Sequence, residues 1–190
     1  MKRIILTILI FGLLLPSSCS MSGGEDSHVN TSPAYEVCYV NYSGSAEIYL
    51  GSLNKDKMYE SRNLHLPVYK FDDLSSLSNF RKNFDGDLSF DMGYDDVPSF
   101  DGLMEKYDEE YFSENSLIAC YVQSGSGSYR YGVKETYNDG ENFIITVTCI
   151  NSPEVGTCDM AGWLVVMSVP EDEVSSCTVF DAVMVYGSEQ

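Results

Sequence analysis

The groups with chemistry to offer at neutral pH are two histidines, six cysteines and a surplus of carboxylates, 29 acids against 11 bases. Cys19 is the most informative of them. It follows Lys2-Arg3, the apolar stretch Ile4–Leu15 and Pro16-Ser17-Ser18, the layout of an export signal whose terminal cysteine accepts a diacylglyceryl group. The apolar stretch is interrupted only by Thr7 and falls well short of the roughly 20 residues that a spanning helix needs. Residues 1–18 are therefore expected to be a removed signal, with lipid on Cys19. Pro16 stands where leucine is usual in such a signal, and Leu15 is displaced by one. The alternative is ordinary cleavage near Ser18 or Ser20, releasing a soluble protein. Both readings put the chain outside the cytoplasm, with the membrane as a partner only through Cys19.

The other cysteines are Cys38, Cys120, Cys149, Cys158 and Cys177. Disulfides persist outside the cytoplasm, but an odd set leaves at least one thiol free or paired between molecules. Cys149 with Cys158 is the local candidate, because Pro153 and Gly156 can turn the chain between them. No C-x-x-C occurs, and His28 falls in a polar linker, so His65 alone is left for chemistry. One imidazole does not make a zinc site, and neither a metal nor another cofactor is expected. Serine hydrolysis would need a nucleophile beside a base, yet G-x-S-x-G is absent and Ser126 sits in a Ser/Gly turn. A cysteine nucleophile would depend on the same His65.

Carboxylates leave one catalytic alternative open, since glycan cleavage needs only two acids flanking a cleft. No pair stands out from the acidic background. The net charge is −18, which excludes the basic footprint of a nucleic-acid binder. Between Phe71 and Asn115 lie 13 acids and 3 bases. The part from Asp85 to Asp101 does not meet the calcium-loop pattern D-x-[DN]-x-[DN]-G-x₅-E; it reads as a solvated loop, with a weak calcium site as the alternative.

Behind these residues stand the elements that must position them. Residues 19–33 are Ser, Gly, Asn, Thr and acids with little apolar content, the composition of a flexible tether. Residues 34–190 are long enough for one globular domain. In its second half, Leu117–Gln123, Tyr129–Tyr137, Phe143–Ile150, Trp163–Val169 and Cys177–Tyr186 read as strands. Ser124–Ser128 and Asn138-Asp139-Gly140 are the turns expected to join the first three as hairpins. In the first half, Tyr35–Val40, Ala46–Leu50 and His65–Phe71 read as extended. Leu74, Leu77, Phe80 and Phe84 recur at helical spacing after an Asp72 or Asp73 cap and before Gly86. Asp108 can cap a second short helix reaching Phe112. The expected fold class is α+β: a mainly antiparallel meander covered by one or two short helices.

Several segments resemble small lipoproteins of Firmicutes-type bacteria. They are Leu66–Asp72 with Leu77 and Phe80, Tyr107–Phe112 running into Glu114–Leu117, the Ser124–Arg130 turn, and above all Pro153–Trp163. That family brings no assigned activity. A more distant similarity, in strand layout and the late proline-containing connection, is to the C-terminal domain of PrcB-like subunits of a surface protease complex. It implies a module that contacts other proteins.

Within the strongest segment, Asp159 and Trp163 are the candidate contacts for a partner or ligand. Their structural alternatives are a turn held by the Asp159 carboxylate and a core tryptophan. The fourteen tyrosines suit binding surfaces and strands alike. The sequence therefore predicts a membrane-anchored, extracytoplasmic, non-catalytic binding or accessory module for a surface protein. A carboxylate-dependent glycan hydrolase and a purely structural envelope component are the alternatives.

Overall fold

The computed structural model describes residues 33–60 and 64–186. Cys19, the expected signal and nearly all of the expected tether lie outside them. Seven strands form two sheets among the described residues: β1 Tyr35–Tyr39, β2 Val68–Phe71, β3 Asn115–Ser124, β4 Arg130–Asn138, β5 Asn142–Asn151, β6 Ala161–Pro170 and β7 Val179–Val185. The first sheet has the order β1-β6-β3-β2 and is antiparallel throughout. The second has the order β4-β5-β7, with β4–β5 antiparallel and β5–β7 parallel. The protein is α+β, with two mainly antiparallel sheets.

The four-stranded sheet is the middle layer, and its strands say so. β3 and β6 are apolar almost without a break and buried at nearly every position, the pattern of strands covered on both faces. One face, through Val68, Ile118, Cys120, Trp163 and Val165, meets Val133, Phe143, Ile145, Val147 and Ala182 of the second sheet. The other face, through Cys38, Phe71, Leu117, Tyr121 and Leu164, meets a helical layer. That layer is organised by Phe80, whose ring centroid lies 4.7 Å from Tyr69, 4.9 Å from Phe84, 5.3 Å from Phe71 and 5.6 Å from Phe100. Edge-to-face and tilted ring pairs of this kind add to the gain from burial.

The helices are α1 Glu47–Leu50, α2 Lys55–Glu60, α3 Leu74–Asn83, α4 Phe100–Met104, α5 Glu109–Phe112 and α6 Glu171–Val174. In α3 the apolar residues fall on one face, and Asp73 starts it with a capping box: its carboxylate accepts the Ser76 N–H at 2.6 Å. Asp108 likewise caps α5 by accepting the Tyr111 N–H at 2.8 Å.

The connections correct three expectations. The chain is not a single meander: Ser124–Arg130 carries it from the first sheet to the second, because both edges of β3 are already occupied by β2 and β6. The Asn138–Gly140 turn does join a hairpin, β4 to β5, with Gly140 at φ +87°, a region that glycine enters without steric cost. Ala46–Leu50 is not a strand. It contains α1, where the Leu50 N–H donates to Ala46 O at 3.1 Å and Ile48 is buried in the helical layer. Among the described residues six helices replace the expected one or two, and five of them span only four to six residues, too few for a 3.6-residue period to register.

A stretch of eight residues stitches the two sheets together along one side. The Leu66 N–H donates to Ala182 O at 2.8 Å and the Met184 N–H to Leu64 O at 2.7 Å, placing 64–66 on the free edge of β7. After Pro67 the same chain becomes β2 and pairs with β3. The opposite seam, between β1 and β4, closes over Gly132, where a Cβ would lie 2.2 Å from Tyr35 Oη.

Candidate functional site

The crossing chain carries the only histidine among the described residues. Its Nδ1 lies 3.0 and 3.1 Å from the two carboxylate oxygens of Asp181. Asp181 is on β7, where Phe180, Ala182 and Met184 face the core; by the period of two, Asp181 faces the other way. It is nonetheless only 2 % exposed, because its partners cover it. Asn54 Nδ2 donates at 2.7 Å and also to Leu66 O at 2.9 Å. Lys57 Nζ donates at 2.9 Å, and the Ala182 N–H at 3.0 Å. Burial pushes the Asp181 carboxyl up, but Lys57, Asn54 and His65 outweigh it and hold the group below its ordinary range. The Asp181 carboxylate holds the His65 ring by Nδ1, which turns Nε2 away from it.

His65 lines a cleft of about 460 Å³ where one end of β3, the last residues of β7 and the start of β4 come together with the loop after β1. Its size is that of a small-ligand site. Five tyrosines dominate the wall: Tyr42, Tyr49, Tyr121, Tyr131 and Tyr186. The neighbouring polar groups are Ser43, Gln123 and His65, and no Asp, Glu, Lys or Arg is among the lining residues. Tyr49 Oη donates to Gln123 Oε1 at 2.7 Å, and Tyr121 Oη accepts the Ser43 N–H at 3.1 Å. Tyr131 Oη lies 3.2 Å from Ser124 Oγ. Burial holds the Tyr121 and Tyr131 hydroxyls above the ordinary phenol range, so both remain protonated at neutral pH.

Asp159 and Trp163 stand elsewhere and do not line this cleft. Both touch Tyr94. Asp159 accepts the Tyr94 hydroxyl at 2.7 Å and the Gly127 N–H at 3.2 Å. Hydrogen bonds from Thr157, Tyr94 and Gly127 bring its carboxyl down to about 2. Trp163 is wholly buried, 5.3 Å from Tyr39 and 5.6 Å from Tyr94 between ring centroids, with the Arg130 guanidinium 5.0 Å from its own. The pair thus fastens the β5–β6 connection to the Ser124–Arg130 crossing and to the core. Cys149 and Cys158 are separate thiols in the structure, as are Cys38, Cys120 and Cys177, so the expected bridge is not made. Cys149 Sγ instead lies 3.4 Å from Asn151 O.

The acidic segment is tied to cations of the protein itself. Asp101 accepts two bonds from Arg81 at 2.9 Å, and Asp95 and Asp96 lie 3.6 and 3.7 Å from Arg130. Among the described residues no group of three or more His, Cys, Asp or Glu side chains comes together to hold a metal. No helix among them is long and apolar enough to cross a membrane.

The sequence pointed to His65 only as a lone imidazole and to tyrosine only as a composition. Asp181 was missed entirely, since a carboxylate inside a strand becomes conspicuous only when its cover is known. Comparison with protein-family models, with curated proteins and with solved structures returned no match.

Proposed function

We propose that this chain is an extracytoplasmic lipoprotein, anchored through Cys19, that acts as a non-catalytic binding module for a surface protein and binds it in the tyrosine cleft. The observation that carries this reading is the makeup of the cleft wall: five tyrosines and no carboxylate. Glycan hydrolysis needs two acids across the bound sugar, and Asp181, the carboxylate bonded to the cleft residue His65, is turned into the bonds of Asn54, Lys57 and His65. Tyrosine supplies contact area with a polar tip at small cost in side-chain entropy. Tyr186, 71 % exposed at the rim, is open to a partner.

The test is cross-linking from the membrane surface in cells, with intact-mass measurement beside it. The expected result is a diacylglyceryl mass on Cys19, loss of membrane partitioning in Cys19→Ser, and a cross-linked protein that is lost in Tyr186→Ala. Cross-links unchanged in both Tyr186→Ala and Tyr42→Ala would remove the cleft from the reading. Glycan-cleaving activity abolished by replacing one carboxylate would replace it with hydrolysis.

A further inference from the structure

We propose that a second groove, between α3 and the outer edge of β2, takes an extended segment of a partner polypeptide as an added strand. The groove shares no lining residue with the tyrosine cleft and does not rest on that reading. β2 closes one side of its sheet and has β3 as its only neighbouring strand. Which of its backbone groups face outward follows from the pairing. The Tyr121 N–H donates to Pro67 O at 2.9 Å, across to β3. Successive residues of an antiparallel ladder alternate between facing the neighbour and facing away. Pro67, Tyr69 and Phe71 therefore turn to β3, while Val68 and Lys70 present N–H and C=O to the outside.

At Val68 the protein already uses this edge itself. Val68 O accepts the Leu53 N–H at 2.9 Å, and the Val68 N–H donates to Asn54 Oδ1 at 3.3 Å. Leu53 and Asn54 thus stand where a neighbouring strand would stand, and the chain then leaves as α2. Lys70 lies two residues further along the same edge. Among the described residues no hydrogen bond reaches its outward N–H and C=O. Beside it is a groove of about 300 Å³, lined by Gly51 and Leu53 and by one face of α3. An unpaired edge next to a groove is the arrangement in which backbone bonds supply affinity and the groove supplies selectivity.

The lining states what the segment must be. Asn79 and Asn83 sit one turn apart on the groove side of α3, and each side-chain amide offers donors and an acceptor, the complement of peptide N–H and C=O. The rings of Tyr69, Phe80 and Phe84 complete the wall. An added strand sends alternate side chains to the two faces of the sheet, so those on the Tyr69 face meet these rings and are apolar. Lys70 is the one charged lining residue. Its ammonium is tied to Asp72 at 2.8 Å and Glu171 at 3.6 Å, and lies 5.7 Å from the Phe180 ring centroid of the second sheet. No charge is thus offered to a side chain entering the groove. A glycan lacks the alternating N–H and C=O that the edge pairs with.

The experiment uses the full-length exported protein in detergent micelles and fluorescein-labelled, amidated threonine pentapeptides with leucine or phenylalanine at the centre, followed by fluorescence anisotropy. The leucine peptide methylated on its backbone nitrogens and a peptide with aspartate at the centre are run in parallel. The expected result is saturable binding of the apolar-centred peptides. Methylation should weaken it about tenfold or more through the lost backbone bonds, and the aspartate peptide should not saturate. Asn83→Ala should weaken binding about two- to tenfold, the effect of one hydrogen bond. Asn79→Trp, which fills the groove, should abolish it, and Tyr186→Ala should leave it unchanged. Asn79 and Asn83 are exposed, and unchanged melting curves would verify that the variants are folded. Hydrogen exchange at the Lys70 N–H should slow when the leucine peptide is saturating. No saturation by either apolar-centred peptide up to millimolar concentration overturns the proposal. So does equal binding of the methylated or the aspartate peptide, or Lys70 exchange that is unchanged at saturation. Binding lost in Tyr186→Ala and kept in Asn79→Trp overturns it in favour of the tyrosine cleft as the peptide site.

Discussion

Asp181→Ala removes the carboxylate behind the cleft, and its cost follows from who loses a partner. Four donors point at this group: Asn54 Nδ2, Lys57 Nζ, His65 Nδ1 and the Ala182 N–H. Removing one side of a buried ion pair costs about 3–5 kcal/mol. Here the Lys57 and His65 side chains are 39 % and 23 % exposed and regain water once released, so their share is discounted. Asn54 and the Ala182 N–H are buried and contribute most of the loss, although Asn54 keeps its bond to Leu66 O. The expected total is about 2–3 kcal/mol. Urea unfolding reads it directly, because the chain has one tryptophan and Trp163 is fully buried. With m near 1–3 kcal/mol/M, the midpoint should fall by about 1 M or more. Lys57→Ala should cost no more than about 1 kcal/mol. The acid side gives a second reading. Asp181 titrates lower in the folded protein than in the unfolded chain, where aspartate sits near 3.9. Its stabilisation is therefore complete above the unfolded value and disappears as pH falls through the folded one. The gap between parent and Asp181→Ala should stay open from neutral pH down to about pH 4 and narrow as the pH falls further, through the lower folded value. A neutral-pH loss under about 1 kcal/mol, or a gap that persists in acid, would refute the cluster as the clamp behind the cleft.

Two further outcomes test the layers on which the cleft stands. Phe80→Ala opens a cavity under the first sheet among the rings of Tyr69, Phe71, Phe84 and Phe100. It should cost about 3–5 kcal/mol in the same urea titration; a loss below about 1.5 kcal/mol would mean that the helical layer collapses around the gap. Thiol labelling with a disulfide reagent should modify exposed Cys158 first. Cys38 and Cys120, which burial holds protonated far above the ordinary thiol range, should react only when urea unfolds the protein. Prompt labelling of either would contradict the packing of the middle sheet.

The strands were legible one by one because each signal is local. Phe143, Ile145 and Val147 alternate in the sequence and are buried together on one face of β5, and Asp73 and Asp108 cap the helices they precede. Pairing was less legible. The Ser124–Ser128 turn has the composition of a hairpin turn, yet whether it joins two neighbours depends on whether β3 has a vacant edge. β2 and β6 take both, and β2 is separated from β3 by more than forty residues of sequence. A short-range reading has no access to that competition. The uninterrupted apolar character of β3 and β6 was the available clue: a sheet buried on both faces needs a second layer on each side, which a single meander cannot provide.

The cleft was hidden for the same reason, carried one step further. Its walls come from six places in the chain: the loop after β1, α1 at Tyr49, the crossing at His65–Pro67, one end of β3 with Gly125 beyond it, the start of β4, and the end of β7 with Tyr186 just past it. None of them holds a motif, since no two of the tyrosines used there share a fixed spacing with a third. What assembles them is the 64–71 chain, which bonds to β7 at one end and to β3 at the other. That crossing brings the ends of both sheets to one place, and it turns His65 toward Asp181, 116 residues away. Asp181 in turn binds α2 through Lys57 and the residue before it through Asn54. The clamp and the cleft are thus two sides of one piece of backbone. A substitution that loosens Asp181 should disturb the spacing of the tyrosines although it touches none of them, whereas one at Tyr186 or Gln123 should alter binding and leave stability in place.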